Sequence, residues 1–322
     1  MKNSKKIFVT GATGYVGRHL VQDLIKKGYT LYVLTRNDSS IFSDDPAITV
    51  ITGDITGTID LPSDVSTIYH CAGVIYDEKE MDRVNVRGTK NIAALAYKHG
   101  CNLIHLSSAG VIGSTAETVI DERTACHPGN AYEISKYKAE QVISDAVKQG
   151  LRAQILRPTS IFGPHIGVKK DSFFQLVKSM RNGLYKAVGH GMYNIVHIDE
   201  VIKALELLDN PRLPSGSIYI VNNPISYANM DVLVKNIPPV ITRKTVSVSY
   251  PVAWVSAALL TVVCRMANKK NPLTFSRLRA LTSRKTYSQS KIVETLSFKN
   301  AFSIETHISK TCEQYIAEGL LS

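Results

Sequence analysis

Short apolar, β-branched runs alternate with longer stretches of helical period through the first two-thirds of the chain. "KIFVTGATG" (6–14) predicts a strand entering a turn, and "GRHLVQDLIKKG" (17–28) an amphipathic helix stopped by glycine. "TLYVLTR", "AITVITGDI", "VSTIYHCAG", "CNLIHLSSAG" and "LRAQILRP" each predict a buried strand. Between the later ones, "MDRVNVRGTKNIAALAYKHG" and "AYEISKYKAEQVISDAVKQG" have helical period. Strand–helix alternation of this kind requires right-handed crossovers, so the expected fold class is α/β with a doubly wound parallel sheet. From about residue 165 the pattern loosens at "PHIGVKK", "NNPIS" and "NIPPV". The expected division is a sheet domain over 1–165 and a smaller substrate-binding region over 166–322, with a return to the sheet near 190–222.

Composition adds little to this picture, except in one place. The 322 residues are 44% hydrophobic and 20% charged, enough to bury a sizeable core. Cysteines 71, 101, 126, 264 and 312 form no C-x-x-C pair, which predicts neither a disulfide framework nor a zinc site and favours a reducing cytoplasm. "MKNSKKIFVTGATG" runs from basic residues straight into a strand, without the apolar stretch of a secretory leader. The net charge is +11, yet eleven Lys and Arg fall between Val232 and Val293 with no Asp or Glu among them. The remaining 27 basic residues balance 27 acidic ones. One segment therefore carries the whole excess.

The first turn carries the first chemistry. Gly11, Gly14 and Gly17 in "TGATGYVGRHL" follow a strand and open a helix, where glycines let the backbone approach a pyrophosphate seated on the helix N-terminus. The spacing is G-x-x-G-x-x-G. Thr13, Tyr15 and Val16 complete this expected cofactor loop. The second strand ends in Thr35 and Arg36, where an NAD-preferring fold would carry an acid for the ribose 2′-hydroxyl. An arginine instead favours the 2′-phosphate of NADP(H), with NAD the second choice.

"AYEISKYK" places Tyr132 four residues before Lys136 on one helix face. A tyrosine with a pKa near ~10 is a poor base at neutral pH, and a neighbouring ammonium should stabilise its phenolate. In order along the chain stand "TGATGYVG", "GDI" (53–55), "HCAG" (70–73), "NVRGT" (85–89), "SSAGVIG" (107–113), "YEISK" (132–136), "LRPTSIFGP" (156–164) and "VHIDEV" (196–201). Together, over about residues 5 to 205, this set resembles the extended short-chain dehydrogenase/reductase superfamily, also called the NAD-dependent epimerase/dehydratase family, built on a Rossmann fold. The resemblance implies a catalytic Ser108, Tyr132 and Lys136, with Ser107 the weaker serine. Lys136 should also hold the nicotinamide ribose. It further implies that Asp54 and Ile55 contact the adenine, that Ala72 and Gly73 line the cofactor cleft, and that Pro158 and Thr159 sit by the nicotinamide amide. Asn85 is expected to tether strands, and His197 and Asp199 to hold the domain junction rather than a metal.

Absences narrow the reaction. Dehydratases and decarboxylases resembling this chain carry an acid just after the catalytic Ser or Thr, where this chain has Ala109 and Gly110. Nucleotide-sugar epimerases present an arginine to the substrate pyrophosphate shortly before "HID", where this chain has Tyr193 and Asn194, leaving Arg181 or Lys186 to compensate. The expected enzyme is an oxidoreductase acting on a secondary alcohol or ketone, as in reductase- and hydroxysteroid-dehydrogenase-like branches. A UDP-hexose-type epimerase using tightly bound NAD is the alternative. The substrate is expected to be a small molecule, lipid-like or sugar-linked. The basic segment lacks aromatic interleaving, so no nucleic-acid partner is expected.

Within that segment, Val252–Cys264 is free of charge but too short to span a bilayer, which takes about 20 residues. Three readings stand for 251–285: a helix packed on the sheet, a peripheral membrane contact, and a homodimer seam.

Overall fold

The computed structural model describes residues 5–36, 42, 45–164, 172–241, 244–266 and 275–321. Strands β1 (Lys6–Thr10), β2 (Thr30–Thr35), β3 (Ile48–Thr52), β4 (Val65–His70), β5 (Asn102–Leu106) and β7 (Ala153–Pro158) lie where the apolar runs predict them. With β12 (Ser217–Val221) they form a seven-stranded sheet in the order β12-β7-β5-β4-β1-β2-β3, every pair parallel. Parallel strands end at one edge, and the order reverses between β1 and β4. In sheets of this kind the ligand site lies at such a switch point, outside the carboxyl ends of the strands.

Helices cover both faces. One layer holds α1 (Tyr15–Lys26) and α6 (Ile198–Leu208). The other holds α2 (Glu78–Met81), which runs through a π-helical turn at Asp82–Gly88 into α3 (Thr89–His99), and α4 (Ala131–Lys148). The first core joins Val9, Leu20, Leu24 and Val33 to Val201, Leu205 and Tyr219, while the second joins Phe8, Ile68 and Leu103 to Ile92 and Ile143. A strand buried on both faces has no polar side to show. This is why these runs read as continuously apolar rather than alternating.

The remaining elements build the smaller region. Strands β6 (Val119–Ile120), β8 (Ser160–Phe162), β9 (Lys186–Ala187), β10 (Met192–Tyr193), β11 (Ile195–His197), β13 (Ile225–Ser226), β14 (Val246–Ser247) and β15 (Thr286–Tyr287) are short and pair two by two. Around them lie α5 (Ser172–Arg181), α7 (Tyr227–Asn236), α8 (Tyr250–Met266), α9 (Phe275–Thr282) and α11 (Ile304–Ala317). Phe162, Phe173, Phe174, Met230 and Tyr315 form its core. The chain rejoins the seven-stranded sheet at β12. It returns again at α10 (Ser290–Leu296), where Ile292 and Phe298 join the first core. The sequence reading placed no boundary there, because a seven-residue helix with one buried aliphatic carries almost no periodic signal.

Candidate active site

The glycine loop closes on itself and on the next strand. Gly14 N–H donates to Gly11 O at 2.9 Å, and Gly11 has φ +71°, the left-handed region that glycine adopts without strain. A Cβ on Gly11 would lie 2.5 Å from Ala72 N, and one on Gly17 would lie 2.1 Å from Gly11 O. Backbone therefore packs on backbone across the crevice. Gly14 caps α1 with no side-chain bond, and the first turn carries no acid, so the N–H groups of this helix end remain a ready anion seat. These features fit a dinucleotide pyrophosphate.

The other expected cofactor contacts gather at the same edge. Thr13 is exposed, Tyr15 half-buried and Val16 buried in the first turn of α1, while Arg36 is exposed just past β2. Asp54 Oδ1 accepts from Thr56 N–H at 2.8 Å, and Arg83 Nη1 lies 3.5 Å from Oδ2. The Thr56 amide above all holds this carboxyl below its usual range. Beside it Ile55 is buried, its Cδ1 packed close on Gly88. Half-buried Ala72 and exposed Gly73 follow β4, Pro158 ends β7 and Thr159 follows it, with Thr159 Oγ1 donating to Asn222 Oδ1 at 2.9 Å. Asn85 joins the segment after β4 to α4: its amide exchanges bonds with Val74 at 2.8 and 2.9 Å and donates to Ser135 Oγ at 2.9 Å.

Ser108 and Tyr132 face one another at the carboxyl end of β5. Ser108 is extended (φ −154°, ψ 140°) and caps a 3-10 turn, its Oγ accepting from Gly110 N–H at 3.1 Å. Tyr132 stands in the first turn of α4, whose N-cap is Asn130, accepting from Glu133 N–H. Burial pushes the Tyr132 phenol above its ordinary value, and the Ser108 hydroxyl pulls it partly back.

Lys136 lies one turn beyond Tyr132 on α4 and is buried. Its ammonium turns towards the sheet. Nζ donates to Leu106 O at 2.6 Å and lies 3.4 Å from His105 Nε2. Burial lowers Lys136 to about 8, against the pull of Glu140. His105 and His70 lie beneath it, both buried and held well below the usual histidine range by desolvation and by the Lys136 charge.

A buried ion pair behind this lysine escaped the sequence reading. Glu140, one turn beyond Lys136, accepts from Arg157 Nε at 3.0 Å and Nη2 at 2.6 Å, and from Ser107 Oγ. Ser107 is thus committed to the interior, which leaves Ser108 as the alcohol beside Tyr132. The available signal was a Glu at i+4 from Lys136 and an Arg inside the apolar run "AQILRP".

Other candidates resolve structurally. His197 Nδ1 accepts from Asp199 N–H at 3.3 Å, capping α6. The His197 ring stacks on His307, whose Nε2 pairs with Glu200 Oε1 at 3.0 Å. These bonds join the sheet to the smaller region, and His197, Asp199 and His307 also have ligand-type spacing. Arg181, offered from sequence as a phosphate clamp, is 2% exposed and gives its guanidinium to the carbonyls of Val234, Ile237 and Pro239. It cannot reach a substrate pyrophosphate. Lys186 remains exposed on β9, and Tyr193 stacks on Tyr227 at 5.1 Å.

The model of the NAD dependent epimerase/dehydratase family matches residues 7–221. The chain is 25% identical to a decarboxylating sterol-4-alpha-carboxylate 3-dehydrogenase of Candida albicans, over 96% of this chain and 97% of the relative. It is 27% identical to UDP-glucose 4-epimerase of Vibrio cholerae, over 69% of this chain and 72% of that protein. The solved structure of UDP-glucuronic acid 4-epimerase from Bacillus cereus with NAD has a TM-score of 0.75 at 18% identity, covering 98% and 99% of the two chains.

Proposed function

The chain belongs to the NAD-dependent epimerase/dehydratase family and is an oxidoreductase of the extended short-chain dehydrogenase/reductase type. From that premise we propose that it interconverts a ketone and a secondary alcohol on a lipid-like substrate, drawing on NADP(H). The observation that carries this reading is the placement of Ser108, just past the carboxyl end of β5, beside the Tyr132 phenol in the first turn of α4. When bound, the nicotinamide supplies or accepts the hydride. Ser108 donates a hydrogen bond to the substrate oxygen, and Tyr132 passes the proton to that oxygen as its carbon gains hydride. A phenol raised by burial keeps its proton at neutral pH, which suits the direction of carbonyl reduction. Lys136 fixes the floor of the site from Leu106 O and would hold the nicotinamide ribose. Arg36, exposed at the end of β2, would meet the 2′-phosphate.

Two findings favour a lipid-like substrate over a nucleotide sugar. Arg181 is spent inside the smaller region, and the likeness to the sterol dehydrogenase runs nearly the full length of the chain. That relative's decarboxylation also revises the argument from Ala109 and Gly110. Oxidation of a β-hydroxy acid gives a β-keto acid, which loses CO2 through its enol with no added acid, so those residues exclude elimination chemistry only. The test is to give the pure protein NADPH or NADH with a panel of steroid and bicyclic ketones and to follow loss of reduced nicotinamide. NADPH-dependent turnover of a ketone is expected. Conversion of UDP-sugars with no net cofactor oxidation would overturn the reading.

A further inference from the structure

Helix α8 packs the wrong way round for a core helix. An amphipathic helix normally buries its large apolar residues and shows small or polar ones. Here Ala253 and Ala257 are buried against Val188 and Leu278, while Val252, Trp254, Val255 and Leu259 are 56%, 49%, 51% and 62% exposed. Val252, Val255 and Leu259 recur at helical spacing and mark one outward face. Tyr250 and Val246 extend the exposed apolar surface towards β14. This arrangement contradicts the reading of 251–285 as a helix packed on the sheet, since α8 meets α9 and the β9–β14 edge instead.

The segment that carries this face has charge of one sign. No Asp or Glu occurs between Val232 and Val293, and Lys244, Arg284 and, on the neighbouring α9, Arg279 are exposed. Lys269 and Lys270 belong to the same acid-free segment but lie outside the described residues. At 17 residues α8 is about 25 Å long, and no helix among the described residues is long and apolar enough to cross a membrane.

We propose that α8 lies flat in the interface of an anionic phospholipid bilayer, with Val252, Trp254, Val255 and Leu259 entering the acyl boundary and the flanking cations meeting the headgroups. An outward apolar face within an acid-free, basic segment is the chemistry that such a surface selects. A second copy of the chain fits poorly, because a two-fold seam on α8 would set this acid-free segment against itself. Nucleic acid fits poorly too, since the spaced face of Val252, Val255 and Leu259 is aliphatic and offers no stacking platform. The inference does not depend on the reaction proposed above.

The chain holds a single tryptophan, Trp254, so insertion can be read in the unaltered protein. Adding phosphatidylglycerol–phosphatidylcholine vesicles is expected to shift its emission to the blue and to expose it to quenching by brominated acyl chains. Pure phosphatidylcholine is expected to do neither. In flotation, Val255→Asp with Leu259→Asp should abolish binding. Arg279→Glu with Arg284→Glu should weaken it at least about thirtyfold, from the attraction each surface cation contributes. All four positions are exposed, so both variants should keep the parent melting temperature. Unchanged Trp254 emission, flotation indifferent to lipid charge, or a concentration-dependent dimer dissolved by the α8 variant would overturn the proposal.

Discussion

Replacing Lys136 with methionine should stabilise the protein at neutral pH while removing its activity. The side chain is 4% exposed, and burial lowers its ammonium from 10.5 to about 8. A gap of about 2.5 pH units, at ~1.36 kcal/mol each, means the fold disfavours the charged form by about 3 kcal/mol below pH 8. Methionine removes that burden and leaves Leu106 O without its donor, at a cost of about 1 kcal/mol. The variant should therefore be about 2 kcal/mol more stable near pH 7. Because the folded pKa lies below the unfolded one, between the two values the unfolded chain holds a proton that the folded chain has released. Parent stability consequently rises with pH from about 8 to 10.5, by ~1.4 kcal/mol per unit. The variant's advantage should shrink over that window and invert by about 1 kcal/mol at its upper end. Urea unfolding of both proteins across this range measures the difference, and titrations common to both cancel. A difference that stays level with pH, or a variant less stable than the parent near pH 7, would refute this account of Lys136.

Tyr132→Phe should lower ketone reduction by about a thousandfold while retaining cofactor binding, and Ser108→Ala by about a hundredfold, both read in steady-state kinetics. Arg36→Glu should lower the NADPH-to-NADH ratio of kcat/KM by at least about tenfold. In Gly17→Ala the new Cβ would meet Gly11 O at 2.1 Å, so the loop must open. Cofactor affinity, titrated by nicotinamide fluorescence, should fall about tenfold or more. Glu140→Gln leaves Arg157 buried without its countercharge and should cost about 3 kcal/mol in urea unfolding.

The sheet was legible because burial on both faces demands unbroken apolar runs, and each such run before residue 160 is a strand. The glycine turn and the Tyr132–Lys136 spacing were legible because both are local. Long-range pairings were hidden. The lysine's direction is set by Leu106 O on a neighbouring strand, and the role of Arg181 by three carbonyls more than fifty positions later. Helix α8 misled for another reason: thirteen uncharged residues look like core until the buried side is seen to be the alanine side.

Ser107 and Ser108 are chemically identical neighbours with opposite fates, one bonded to Glu140 in the interior and the other beside Tyr132. Extended backbone sends successive side chains to opposite sides, so the reactive alcohol is chosen by parity. Inserting or deleting one residue at the end of β5 would exchange the two roles without changing either amino acid. Natural variation at this turn should accordingly keep its length fixed more strictly than the identity of either serine.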